Sequence, residues 1–134
     1  MEEYIPSINV ILYITADEFD LDEVTRKIGV VPTSTRTKDS FPPQGLACTI
    51  WALETGRESC IAVAIQFEKL LKLLEGKADV IMNVCDEYSL SAGFEVIIHT
   101  ECANNPELIL PREVVSFAAA INAEIGYDLY CYCD

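Results

Sequence analysis

His99 is the only histidine in the chain, and strand-like alternation carries Glu95 and Glu101 to the same face as its imidazole. A carboxylate can orient an imidazole whose pKa lies near neutrality, and the pair can then move protons. That chemistry needs a nucleophile or an anion-binding loop beside it, and no motif for either occurs in the sequence. A surface histidine among acids is therefore expected, no catalytic residue is assigned, and the protein is read as non-enzymatic.

Two other groupings invite a metal. Asp17, Glu18, Asp20, Asp22 and Glu23 crowd one short stretch, but they lack the alternating acids, glycine and distal glutamate of a calcium loop. Helix capping and a solvated face explain them. The six cysteines include no Cys-x-x-Cys pair, and His99 with Cys102 adds only one further ligand region. No metal site and no cofactor are expected. Cys131 and Cys133 flank Tyr132 and share a face with Leu129, where small thiols pack, and the apolar neighbours Ile61 and Val63 argue that Cys60 is buried.

Charge narrows the partners. Nine basic against 22 acidic side chains give a formal charge of −13, which repels nucleic acid and anionic membrane surfaces and favours basic proteins. With 134 residues, 51% of them hydrophobic, the chain can bury one core, so a single domain over 1–134 is expected. No apolar run approaches the ~20 residues that cross a bilayer, and the first residues lack a secretory pattern. A cytoplasmic protein with reduced thiols follows as the expectation.

The elements that must position these residues are legible from periodicity. Ile8 to Thr15 alternates with a period of two and predicts a strand. Asp20 then supplies an N-cap with Glu23 in capping-box position, Leu21, Val24 and Ile28 form an apolar stripe, and Gly29 provides a left-handed stop. Val30 to Lys38 reads as an edge strand because of Pro32, Asp39 to Leu46 as a loop, and Cys48 to Thr55 as a third strand. Helical spacing spans Ser59 to Leu74 and Lys77 to Tyr88, with Gly76 as a break or bend. Leu90 to Thr100 is a long strand, Pro111 opens a helix carrying Val114, Phe117, Ala118, Ile121 and Ile125, Gly126 ends it, and Tyr127 to Cys133 is the last strand. This order predicts an α+β, ferredoxin-like fold: a mostly antiparallel sheet of about five strands with helices packed on one face.

Several fragments carry a resemblance. They are Asp17 to Asp20 before the first helix, Ile28 to Thr33 after it, Trp51 to Thr55, Leu74 to Ala78, Leu108 to Leu110, and Asp128 to Tyr130. Through them the chain resembles a bacterial family known as domain of unknown function 4279, over most of its length. The chain departs from that family's pattern at Arg36 to Asp39, which lacks a glycine, and at Gly76, where proline is usual. The resemblance implies no activity.

Alternation also sorts the sheet into two faces. If Val10, Leu12, Phe94, Val96 and Ile98 meet the helices, the other face carries Ile11, Tyr13, Trp51, Leu53, Ile97, His99, Tyr130 and Tyr132. A face this aromatic is expected to contact another molecule, and Tyr13, Trp51, His99, Tyr130 and Tyr132 are its candidate binding residues. The expected function is a non-enzymatic protein-interaction domain whose partner is a basic protein or, as a homodimer, a second copy. An immunity-type inhibitor of a basic bacterial toxin is one form of that reading. The alternative is a small-molecule-sensing ferredoxin-like regulatory domain, which needs a pocket between sheet and helices.

Overall fold

Asp20 starts the first helix as its side chain predicts, accepting a hydrogen bond from Glu23 N at 3.1 Å, and Gly29 closes it at φ 77°. The reciprocal half of the capping box is replaced, because the Glu23 carboxylate turns to Arg26 one turn on. The computed structural model describes residues 5–40, 48–101 and 104–133. Their order is β1 (Ser7–Ala16), α1 (Leu21–Ile28), β2 (Ser34–Arg36), β3 (Thr49–Glu54), β4 (Glu58–Ser59), α2 (Val63–Leu73), α3 (Ala78–Tyr88), β5 (Ser91–Glu101), α4 (Arg112–Ala120) and β6 (Glu124–Tyr132). Pro42 and Pro43, expected in a loop, lie outside the described residues.

Strand β1 is central, pairing antiparallel with β3 on one side and β5 on the other. The path runs β2-β3-β1-β5-β6, and β4 extends it by pairing with the start of β1. The fold is α+β as expected, but the sheet of the described residues has six strands and is mixed. Its last pair, β5 with β6, is parallel, because α4 carries the chain back along the sheet before β6 begins. A ferredoxin-like sheet with antiparallel neighbours throughout does not describe that pair.

The core lies between the sheet and all four helices. Ile8, Val10, Leu12 and Ile14 project from β1 into one cluster with Val24 and Ile28 of α1, Phe67 and Leu70 of α2, Ile81 of α3 and Val114 of α4. Phe67 meets Phe94 edge-on at 5.4 Å between ring centroids, a favoured aromatic geometry. Among the described residues, helices therefore cover one face of the sheet only.

Three boundaries differ from expectation, the first being the predicted helix start at Ser59, which moves to Val63 because Glu58–Ser59 pair with β1 as β4. Helix α4 stops at Ala120, where Ile121 caps it and Asn122 adopts φ 55°, so Ile125 and Gly126 belong to β6 rather than to the helix. The apolar spacing of Ile125 fits either element, and the backbone turn at Asn122 decides. The predicted second strand contracts to Ser34–Arg36. Gly76, at φ 75°, separates two helices rather than bending one.

Candidate functional site

Register decides what the uncovered face contains. Ile14 pairs with Trp51 and Leu12 with Leu53, so both β3 residues lie beside the core-facing residues of β1. Trp51 is fully buried, and its Nε1 donates to Thr25 Oγ1 at 3.0 Å within α1. The expectation that Trp51 and Leu53 belong to the uncovered face is thus corrected. Alternation pairs them on one face correctly, but only the cross-strand partner tells which face that is.

Tyr13, His99, Tyr130 and Tyr132 do share the uncovered face. Tyr13 pairs with Ala52 and Gly93, while His99 pairs with Ser7 on one side and Tyr130 on the other. The His99 ring lies parallel to both tyrosines, 4.7 Å from Tyr130 and 5.9 Å from Tyr132 between centroids, each inclined by 10°. Its Nδ1 shares a hydrogen bond with Tyr132 Oη at 2.8 Å. Three rings stand as a ridge across β5 and β6.

Charged groups frame the ridge. Arg57, beyond β3, donates from Nε to Ser7 Oγ at 2.7 Å, beside His99. Partial burial lowers the His99 pKa, the Arg57 charge lowers it further, and Asp128 works against both. These neighbours therefore favour the neutral imidazole. Tyr130 Oη donates to Asp128 Oδ2 at 3.0 Å, and that bond to the neutral phenol raises the tyrosine's pKa above 10.0. Burial followed by the Glu54 and Glu95 carboxylates pushes Tyr13 the same way. By register, Glu54, Glu95, Glu101, Glu124 and Asp128 all lie on this face, with Arg36 and Arg57 at its margin. Gly126 leaves room for one of them, since a Cβ there would sit 2.9 Å from Glu95 Oε2.

The strand geometry does not bring Glu95 to the His99 imidazole. Glu95 shares the face of His99 but stands four residues away, roughly 13 Å along an extended strand. The hydrogen-bond partner of His99 is Tyr132 rather than a carboxylate. Asp17 and Glu18 pair with Lys38 at 3.0 and 3.2 Å, and Asp20 caps α1. Among the described residues, no three His, Cys, Asp or Glu side chains converge where a metal ion could bind, and Cys102 lies outside those residues. No described helix is long and apolar enough to cross a membrane.

Cysteine expectations divide. Cys60 and Cys85 are buried, whereas Cys131 is exposed rather than packed with Leu129, itself 56% exposed. Cys133 is disulfide-bonded, against the expectation of reduced thiols throughout, and Cys131 Sγ lies 3.7 Å from its sulfur. Sequence reading also missed Ser7, Arg57 and Asp128 as neighbours of the ring ridge. Arg57 carries no periodic signal, because its position depends on the two-residue strand β4 folding back on β1. Gln66 is a second omission: fully buried, it donates from Nε2 to Ile8 O at 3.0 Å, yet it reads as a polar spacer on α2.

Fold and face together define a small α+β protein built on a mixed sheet with helices on one side. The chain belongs to the family described as Domain of unknown function (DUF4279), whose model matches residues 6–132. No curated protein and no solved structure matches it.

Proposed function

We propose that the protein is a non-enzymatic interaction domain that engages a basic protein through the uncovered face of its sheet. The observation that carries this reading is the ridge of His99, Tyr130 and Tyr132, set among five carboxylates on a face that no described helix covers. Stacked rings present apolar area already held in place, so little side-chain freedom is lost on contact. The carboxylates, within a chain of net charge −13, steer a cationic partner toward them. A second copy would bring the same charge to the contact, which favours a basic partner over a homodimer. Neutralisation of a basic bacterial toxin is one specific form of this function, and it rests on charge alone.

Affinity capture at low and high salt, followed by mass spectrometry, tests the proposal. Basic proteins should be retained at low salt, released at high salt, and lost from a Tyr130→Ala, Tyr132→Ala double variant that still unfolds cooperatively. Capture that survives the double variant, or that shows no preference for basic proteins, would reject the assigned face.

A further inference from the structure

The two edges of the sheet differ in a way that bears on how a partner would bind. Strand β2 is a blunted edge of three residues, with Pro32 just before it and Arg36 at its end. Strand β6 forms the opposite edge with nine residues, carries neither lysine nor proline, and is paired by no described strand on its outer side. From Tyr127 to Tyr132 every residue is exposed except half-buried Asp128. Such an edge offers a row of backbone donors and acceptors that an extended segment can complete.

Different chemistry flanks that row on its two sides. On the uncovered face stand Glu124, Asp128, Tyr130 and Tyr132, with Glu95 behind them on β5. On the helix side, Tyr127 and Leu129 line a cavity of about 180 Å³ together with Ile98, Pro106 and Leu108. Leu108, Tyr127 and Leu129 are 51%, 43% and 56% exposed, so this apolar groove is open to a neighbour. Successive side chains of an added strand would fall alternately beside the acids and beside the groove.

We propose that β6 takes up an extended segment of a basic partner as a further strand, selecting a period of two in which cationic side chains alternate with apolar ones. This rests on the proposed function and adds to it the mode of binding and the pattern read. Charge argues for that occupant over a second β6, because a twofold pairing of β6 would bring the Glu124 and Asp128 carboxylates of both copies to one seam.

The full chain should be titrated by calorimetry with two peptides of equal lysine and valine content, one strictly alternating and one in two blocks. The alternating peptide should bind about tenfold more tightly, and Asp128→Lys or Leu129→Glu should each weaken it by about tenfold while the variants remain folded. N-methylation of every second peptide residue should abolish binding in one parity and spare it in the other, because only one set of amides faces the edge. Equal affinity for both peptides, or indifference to both methylated sets, would overturn strand addition while leaving a basic partner in place. Failure of both peptides to bind would reject both readings. A dimer that Leu129→Glu dissolves, and that excludes the peptides, would assign the edge to a second copy and overturn the proposal.

Discussion

Trp51 and Thr25 tie the sheet to its first helix through one hydroxyl. The indole Nε1 donates to Thr25 Oγ1 at 3.0 Å, and the same hydroxyl donates to Leu21 O at 3.0 Å. The largest side chain in the core thus has its polar atom satisfied by a residue that is itself bonded within α1. Trp51→Ala should cost about 3–5 kcal/mol in urea unfolding, through the cavity it leaves. Thr25→Val should cost about 1–3 kcal/mol, because the buried indole N–H then has no acceptor. A Trp51→Ala protein with unchanged midpoint would place this ring outside the core.

His99, as the only imidazole, can be followed by NMR without assignment ambiguity. Its titration midpoint should fall below the ordinary value of 6.5, chiefly through burial. Between those two pH values the unfolded chain binds more protons than the folded one, so this group's contribution is complete above about pH 6.5 and is lost as pH falls toward the folded midpoint. His99→Gln should remove that part of the pH dependence of stability. A midpoint at or above 6.5 would contradict the ring ridge and its neighbouring Arg57.

Tyr130 should ionise above 10.0 because its hydroxyl is held by Asp128. In Asp128→Asn both the carboxylate acceptor and its charge disappear, and the Tyr130 midpoint should move down. Carbon-labelled tyrosine NMR at alkaline pH reads the change directly, and an unmoved midpoint would dissociate the pair.

Gly29→Ala should destabilise the protein by about 1–2 kcal/mol, since φ 77° places any Cβ in a left-handed conformation. The new methyl would also approach Lys77 Nζ at 3.1 Å, a contact that the flexible lysine can relieve. Gly126→Ala meets the flexible end of Glu95 instead and should cost less. Thermal unfolding of the two variants ranks them, and the reverse order would refute the assignment of backbone strain to Gly29.

Alkylation should divide the thiols by burial. Cys131 is exposed and should react in the native protein, whereas Cys60 and Cys85 are buried and should react only on unfolding. Burial, aided by Asp86, also raises the Cys85 pKa and lowers its thiolate fraction. Native-state labelling of Cys85 at the rate of Cys131 would show that α3 opens readily.

Local signals in the chain determined its local structure. Asp20 and Gly29 delimit α1 because their side-chain and backbone preferences act within one turn, and the alternation of Ile8 to Ile14 and of Phe94 to Ile98 defines two buried strand faces by geometry alone. The same alternation paired Tyr13 with the uncovered face and grouped Tyr130 with Tyr132. It could not orient β3, because a period of two divides residues into sets without saying which set meets the helices. Only the pairing of Ile14 with Trp51 turned that strand's large side chains inward. Tertiary structure likewise made β6 parallel to β5, carried Arg57 to Ser7, and brought the His99 ring parallel to two tyrosines. Each of these joins residues far apart along the chain, and cross-strand register, a property of two segments together, is written in neither one alone.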